Sequence, residues 1–114
     1  MYSRIFAVSL GLFAAGGHGP AAAESAGLAL ARASQCLSCH QVDAKRVGPP
    51  FSAVAERFAG AAGAQDYLAD TIRSGGKDRW GPIPMPAQPQ VSPGQAQAIA
   101  AWILSLTKEG ARQP

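Results

Sequence analysis

Cys36 and Cys39, the only cysteines in a chain of 114 residues, stand three positions apart with His40 directly behind them. This run constrains the fold more than any other feature. A disulfide between the two would close a very short, strained loop and would remove little freedom from the unfolded chain. A thioredoxin-type dithiol would follow a strand in a βαβ setting, whereas the flanking residues read as helix and loop.

The residues ahead of the cysteines narrow the choice. Arg4, an apolar run from Ile5 to Ala15 broken by Ser9 and Gly11, and the small residues Ala21-Ala22-Ala23 predict a secretory signal peptide over residues 1–23, cleaved before Glu24. A membrane anchor suits the run less well. Spanning a bilayer takes about 20 consecutive apolar residues, and Gly16, Gly17, His18 and Pro20 end this one early. The expected mature domain, 24–114, then contains one histidine, His40, and no third cysteine, too few donors for a four-ligand zinc site. What remains is a haem attachment run, Cys36-Leu37-Ser38-Cys39-His40. Two thiols three apart on a turn of helix meet two vinyl edges of one porphyrin, and the adjacent imidazole is then held beneath the iron.

Charge adds little. Losing residues 1–23 removes Arg4 and no acid, so ten Lys and Arg become nine against seven Asp and Glu, a net charge of +2. No basic run interleaves with aromatics, which excludes a nucleic-acid-binding surface of the usual kind. The cations do gather locally, in Lys45-Arg46 and again in Arg73, Lys77 and Arg79.

Periodicity predicts an all-α domain with about four short helices. The clearest lies at the end: Ser92 and Gln95 form a capping box, Pro93 takes the first helical position, and Ile99, Trp102, Ile103 and Leu106 share one face up to about Lys108. Phe51, Val54 and Phe58 mark a second helix closed by Gly60, and Tyr67, Leu68 and Ile72 mark a third that stops at Gly75-Gly76. A weaker helix is expected from about Ser25 to Gln35, where Gly27 and Ala31 leave room for another helix to approach. Between Arg79 and Val91 the prolines Pro82, Pro84, Pro86 and Pro89 forbid a helix, and no alternation supports a strand. A mature chain of about 90 residues is close to the size below which a core needs a staple or cofactor. Short helices and a long Pro-rich loop therefore read as a shell around a large apolar group.

Met85, the only methionine of the expected mature chain, sits inside that loop in Trp80-Gly81-Pro82-Ile83-Pro84-Met85-Pro86. Flanking prolines reduce the freedom lost when a thioether is held at a metal. Methionine more commonly fills gaps in a core. Its isolation in a rigid loop, downstream of one attachment run, favours Met85 as the second axial ligand opposite His40.

From Leu28 to Leu106 the chain resembles the small bacterial class I cytochromes c, and within them the cytochrome c-551 family. The likeness is strongest at Cys36 to His40, Val47-Gly48-Pro49, Arg57-Phe58-Ala59-Gly60, Trp80 to Pro86 and Ala101-Trp102-Ile103-Leu104. It implies the class I fold wrapped around one covalently attached haem c and its iron. It further implies that the carbonyl of Pro49 accepts from the ring of His40, that the indole of Trp80 donates to a haem propionate, and that Met85 is the distal ligand. The N- and C-terminal helices would cross near Gly27 or Ala31 and Trp102. The family commonly has asparagine three residues after the ligand methionine, where this chain has Gln88 in a loop one residue longer.

With both axial positions filled, the expected function is one-electron transfer rather than catalysis: a soluble, monomeric periplasmic carrier that docks transiently with respiratory donor and acceptor proteins. Leu37, Pro82, Pro86 and Ala87 would form the apolar rim of the docking face, and the local cations would steer an acidic partner. An open-sided haem enzyme or gas sensor, and a fixed subunit of a larger oxidoreductase, are the competing readings.

Overall fold

The computed structural model describes residues 24–108 together with Gly11, Gly16 and Gly110, so the expected signal peptide falls outside the described residues apart from those two isolated glycines. Four α-helices form: α1 (Ala26–Ala33), α2 (Phe51–Arg57), α3 (Ala64–Ser74) and α4 (Pro93–Leu104), with a single 3-10 turn, Cys36–Ser38, between α1 and α2. Among the described residues there is no strand, only an isolated antiparallel bridge between Gly76 and Met85. No described helix is long and apolar enough to cross a membrane.

Two of the helices, α1 and α4, begin where a side chain supplies partners for the unpaired N–H groups of the first turn. Ser25 Oγ accepts from the Leu28 amide at 3.2 Å, and the capping box on α4 is complete, with Ser92 Oγ accepting from Gln95 N and Gln95 Oε1 accepting from Ser92 N. The ends are shorter than periodicity predicts. α1 stops at Ala33 because Gln35 turns left-handed at φ 66°, and α2 stops at Arg57, three residues ahead of Gly60, itself at φ 71°. α4 stops at Leu104 rather than near Lys108. Ser105 Oγ donates back to the Trp102 carbonyl, and Glu56 of α2 accepts from the Lys108 amide at 2.8 Å, drawing the chain off the helix axis.

The core lies along α4. Ala96, Ile99 and Ala100 are wholly buried, and α4 packs on each of the other three helices. The expected crossing of α1 and α4 is present: a Cβ at Gly27 would overlap Cβ and Cγ of Trp102, so only glycine permits this approach. Ala31, one turn on and fully buried, continues the contact face.

Candidate functional site

A single cleft gathers most of the residues singled out in the sequence. Cys36, Cys39 and His40 line it together with Met85 from the Pro-rich loop, and core residues including Phe51, Val54, Leu68, Ile72 and Ile99 complete the lining. The attachment run and Met85 are placed by different means. In the run, His40 N and Cys39 N both donate to the Cys36 carbonyl, so the turn that sets the cysteine spacing also fixes the start of the histidine backbone.

The ring of His40 is held on three sides. Its Nδ1 lies 2.8 Å from the Pro49 carbonyl, which can only accept, so Nδ1 carries the proton and Nε2 keeps its lone pair for a metal. Phe51, the first residue of α2, stacks on it at 4.9 Å and 20°, and Trp102 meets Phe51 edge-on at 5.3 Å. Opposite, Gly48 brings backbone so near that a Cβ there would sit 2.5 Å from His40 Cε1. In the polypeptide without haem, burial pushes the Cys36 thiol above its ordinary value, partly offset by a backbone hydrogen bond.

Met85 is placed by α3. Its N–H donates to Gly76 O at 2.8 Å and its carbonyl accepts from Gly76 N at 3.0 Å. Gly75, at φ 77°, makes this pairing sterically feasible, since a Cβ there would lie 2.7 Å from Met85 O. The loop is then tied down again where Gln88 N donates to the last-turn carbonyl of Ile72 and Arg73 Nε donates to Val91 O. Gln88 therefore anchors the loop through its backbone, while its side-chain carbonyl accepts from Gln90 Nε2.

Trp80 stands at the rim, 43% exposed, with the Arg57 guanidinium 4.5 Å from its ring centroid. It is therefore not a packed core aromatic. Exposed Ile83 and Val47 flank the same opening, and Lys45, Lys77, Arg57 and Arg79 join the lining with no carboxylate among them. Leu37 packs against the core instead of forming a free rim. Sequence reading passed over Arg57, Tyr67 and Thr71 as site residues. The stretch beginning at Arg57 was the one available signal.

Two cysteines, an imidazole and a thioether lining one largely apolar cleft fit a covalently attached metalloporphyrin. The matches to known proteins agree. Residues 24–107 match the family model described as cytochrome c. The chain belongs to the cytochrome c family. It is similar to cytochrome c-552 of Hydrogenobacter thermophilus, 46% identical over 77 residues that cover 68% of this chain and 78% of that protein. Cytochrome c-551 of Stutzerimonas stutzeri is 47% identical over 87 residues, covering 76% and 82% respectively. The crystal structure of wild-type cytochrome c552 of Nitrosomonas europaea superposes with a TM-score of 0.68 at 43% identity, over 69% of this chain and 98% of that one. The all-α class I fold expected from the sequence is thus observed. Family membership makes this a monohaem electron-transfer protein rather than an enzyme, with one covalent haem c.

Proposed function

We propose that this cytochrome is an exported, soluble periplasmic carrier that passes single electrons between respiratory redox proteins. In this reading Cys36 and Cys39 hold the haem, His40 and Met85 are its axial ligands, and residues 1–23 are the signal peptide removed on export. The supporting observation is that Cys36, Cys39, His40 and the only methionine of residues 24–114 line one and the same apolar cleft. The haem, when bound, supplies one reversible electron through its ferrous and ferric states. The chain supplies the rest. Pro49 fixes the imidazole tautomer, Phe51 and Gly48 fix its ring plane, and the Gly76–Met85 pairing holds the thioether without help from its own side chain. Trp80, exposed at the rim, would donate its indole N–H to a propionate. A soft thioether stabilises the ferrous state and an apolar lining acts in the same direction, so both raise the potential.

Purified holoprotein tests this directly. Haem should remain with the polypeptide through acid-acetone extraction, and the ferric protein should show the weak long-wavelength absorption of a sulfur-to-iron bond. The ferrous protein should bind carbon monoxide slowly. Release of intact haem would remove the attachment, and immediate carbon monoxide binding would replace the carrier with an open-sided haem protein.

Docking is assigned to the cleft mouth, where Ile83, Val47 and Trp80 are exposed among cations. The Arg79 guanidinium is engaged with Thr71 and Tyr67, which leaves Lys77 as the better steering charge on that side. Lys77→Glu should slow association with an acidic redox partner about threefold at low ionic strength and flatten the salt dependence, because screening acts over a Debye length of about 10 Å at 0.1 M. Stopped-flow rates at several salt concentrations measure both. An unchanged rate and slope would mean that Lys77 is merely solvated.

A further inference from the structure

The loop that carries Met85 starts at Gly76, just beyond the end of α3, and comes back to that residue at Met85, where the two exchange both backbone hydrogen bonds. Between those points, among the described residues, no backbone–backbone bond ties 77–84 to α3. One side chain does. Arg79 Nη1 donates to Thr71 Oγ1 at 2.7 Å, and the same guanidinium lies over the Tyr67 ring, 4.9 Å from its centroid. Thr71 Oγ1 donates in turn to the Tyr67 carbonyl at 2.9 Å, so its proton is committed to the helix and a lone pair is left for Arg79. The Arg79 carbonyl accepts from Arg57 Nη1 at 2.8 Å, and that guanidinium stacks on Trp80. The left-handed turn at Asp78, φ 59°, lets Arg79 fold back onto α3.

We propose that Arg79 is the latch of the distal loop: a positioning residue that holds 77–84 shut against α3 through Thr71 and Tyr67 and so governs how often Met85 leaves the site. The inference rests on the assignment of Met85 as axial ligand. A planar guanidinium can stack on a ring and donate sideways at once, which an ammonium cannot do with the same geometry. The latch joins α2, α3 and the rim tryptophan at one point, whereas the backbone bridge acts only at the ends of the loop. Opening the loop therefore has to break the Arg79 contacts before the Gly76–Met85 pair can separate.

The test is the rate at which imidazole enters the ferric holoprotein, followed to saturation, where the rate reports loop opening. Arg79→Ala and Thr71→Val should each raise the saturating rate about tenfold, the factor that corresponds to the loss of one charge-assisted hydrogen bond at a partly exposed site. Arg79→Lys should also raise it, although charge is kept. The double variant Arg79→Ala/Thr71→Val should be no faster than the faster single variant, since both remove one contact. Hydrogen exchange on the same proteins should quicken at the Met85 and Gly76 amides while the Ile99 and Ala100 amides of α4 stay protected. Additive rates, an Arg79→Lys protein that behaves as native, or faster exchange spread evenly through α4 would each overturn the latch. A native protein that takes up imidazole at once, with no saturating phase, would instead remove Met85 as ligand and with it the carrier reading.

Discussion

Replacing Cys36 and Cys39 together by alanine is expected to leave the chain largely unfolded. The longest helix, α4, has 12 residues and the others 11, 8 and 7. Isolated helices below about 12–15 residues are marginal in water, so these depend on packing. Their packing partners are limited: among the described residues Ile99 and Val91 are the largest fully shielded side chains, and Phe51, Val54, Leu68, Ile72 and Ile99 serve at once as core and as cleft lining. A group seated in the cleft therefore completes the core itself. A domain this small buries only about 60% of the surface that its unfolded chain exposes, which leaves little reserve. Far-ultraviolet circular dichroism of the double variant should show less than about half of the native helical signal and no cooperative melt. A sharp thermal transition at native helicity would show that the polypeptide folds unaided and that the cysteines matter for chemistry alone.

Met85→Ala carries the second large effect. No other thioether remains in residues 24–114 and His40 is their only imidazole, so water or Lys77, which lines the same cleft beside Gly76, must take the distal position. Either is a harder donor than sulfur, and the ferrous state loses stabilisation. The reduction potential should fall by on the order of 100–200 mV, a modest share of the roughly 0.8 V that axial ligands span. The long-wavelength ferric band should vanish, and carbon monoxide should bind the ferrous protein fast. The fold should survive, because Met85 is only half-buried and its loop is held by backbone bonds to Gly76 and Ile72. Voltammetry and carbon monoxide flash photolysis decide the matter. An unaltered potential and spectrum would make Met85 a packing residue.

What the sequence disclosed and what it concealed divide along a physical line. Local rules were sufficient for the attachment run, the capping box of Ser92 and Gln95, and the halt of α3 at Gly75, because each depends on residues a few positions apart. Gly27 and Ala31 one turn apart made a close helix approach readable, and the family resemblance placed Trp102 at that crossing. Helix ends were overextended wherever a distant partner intervened. Nothing near Lys108 announces that Glu56 will capture its amide. The role of Arg79 was hidden for the same reason: beside Lys77 it reads as a solvated or steering charge, and only the fold brings Thr71 and Tyr67 beneath it. The stacking of Phe51 on His40 was equally silent, since a phenylalanine that opens a helix looks like any other core residue.

The arrangement around α4 has a consequence for how such a chain is made. Among the described residues α1, α2 and α3 each pack on α4, and none of the three packs substantially on another. The hub of the fold is thus the last of the four described helices in chain order, and α1, α2 and α3 come together through it. Before α4 is added the chain has only peripheral contacts to close, such as the His40–Phe51 stack and the Arg79–Thr71 hydrogen bond, and isolated short helices form and melt within microseconds. A topology of this kind postpones closure of the core until α4 is in place. It also predicts an abrupt dependence on length: a chain released before Ile99 and Ile103 have been added loses its centre, and no shorter fragment should retain a cooperative fold.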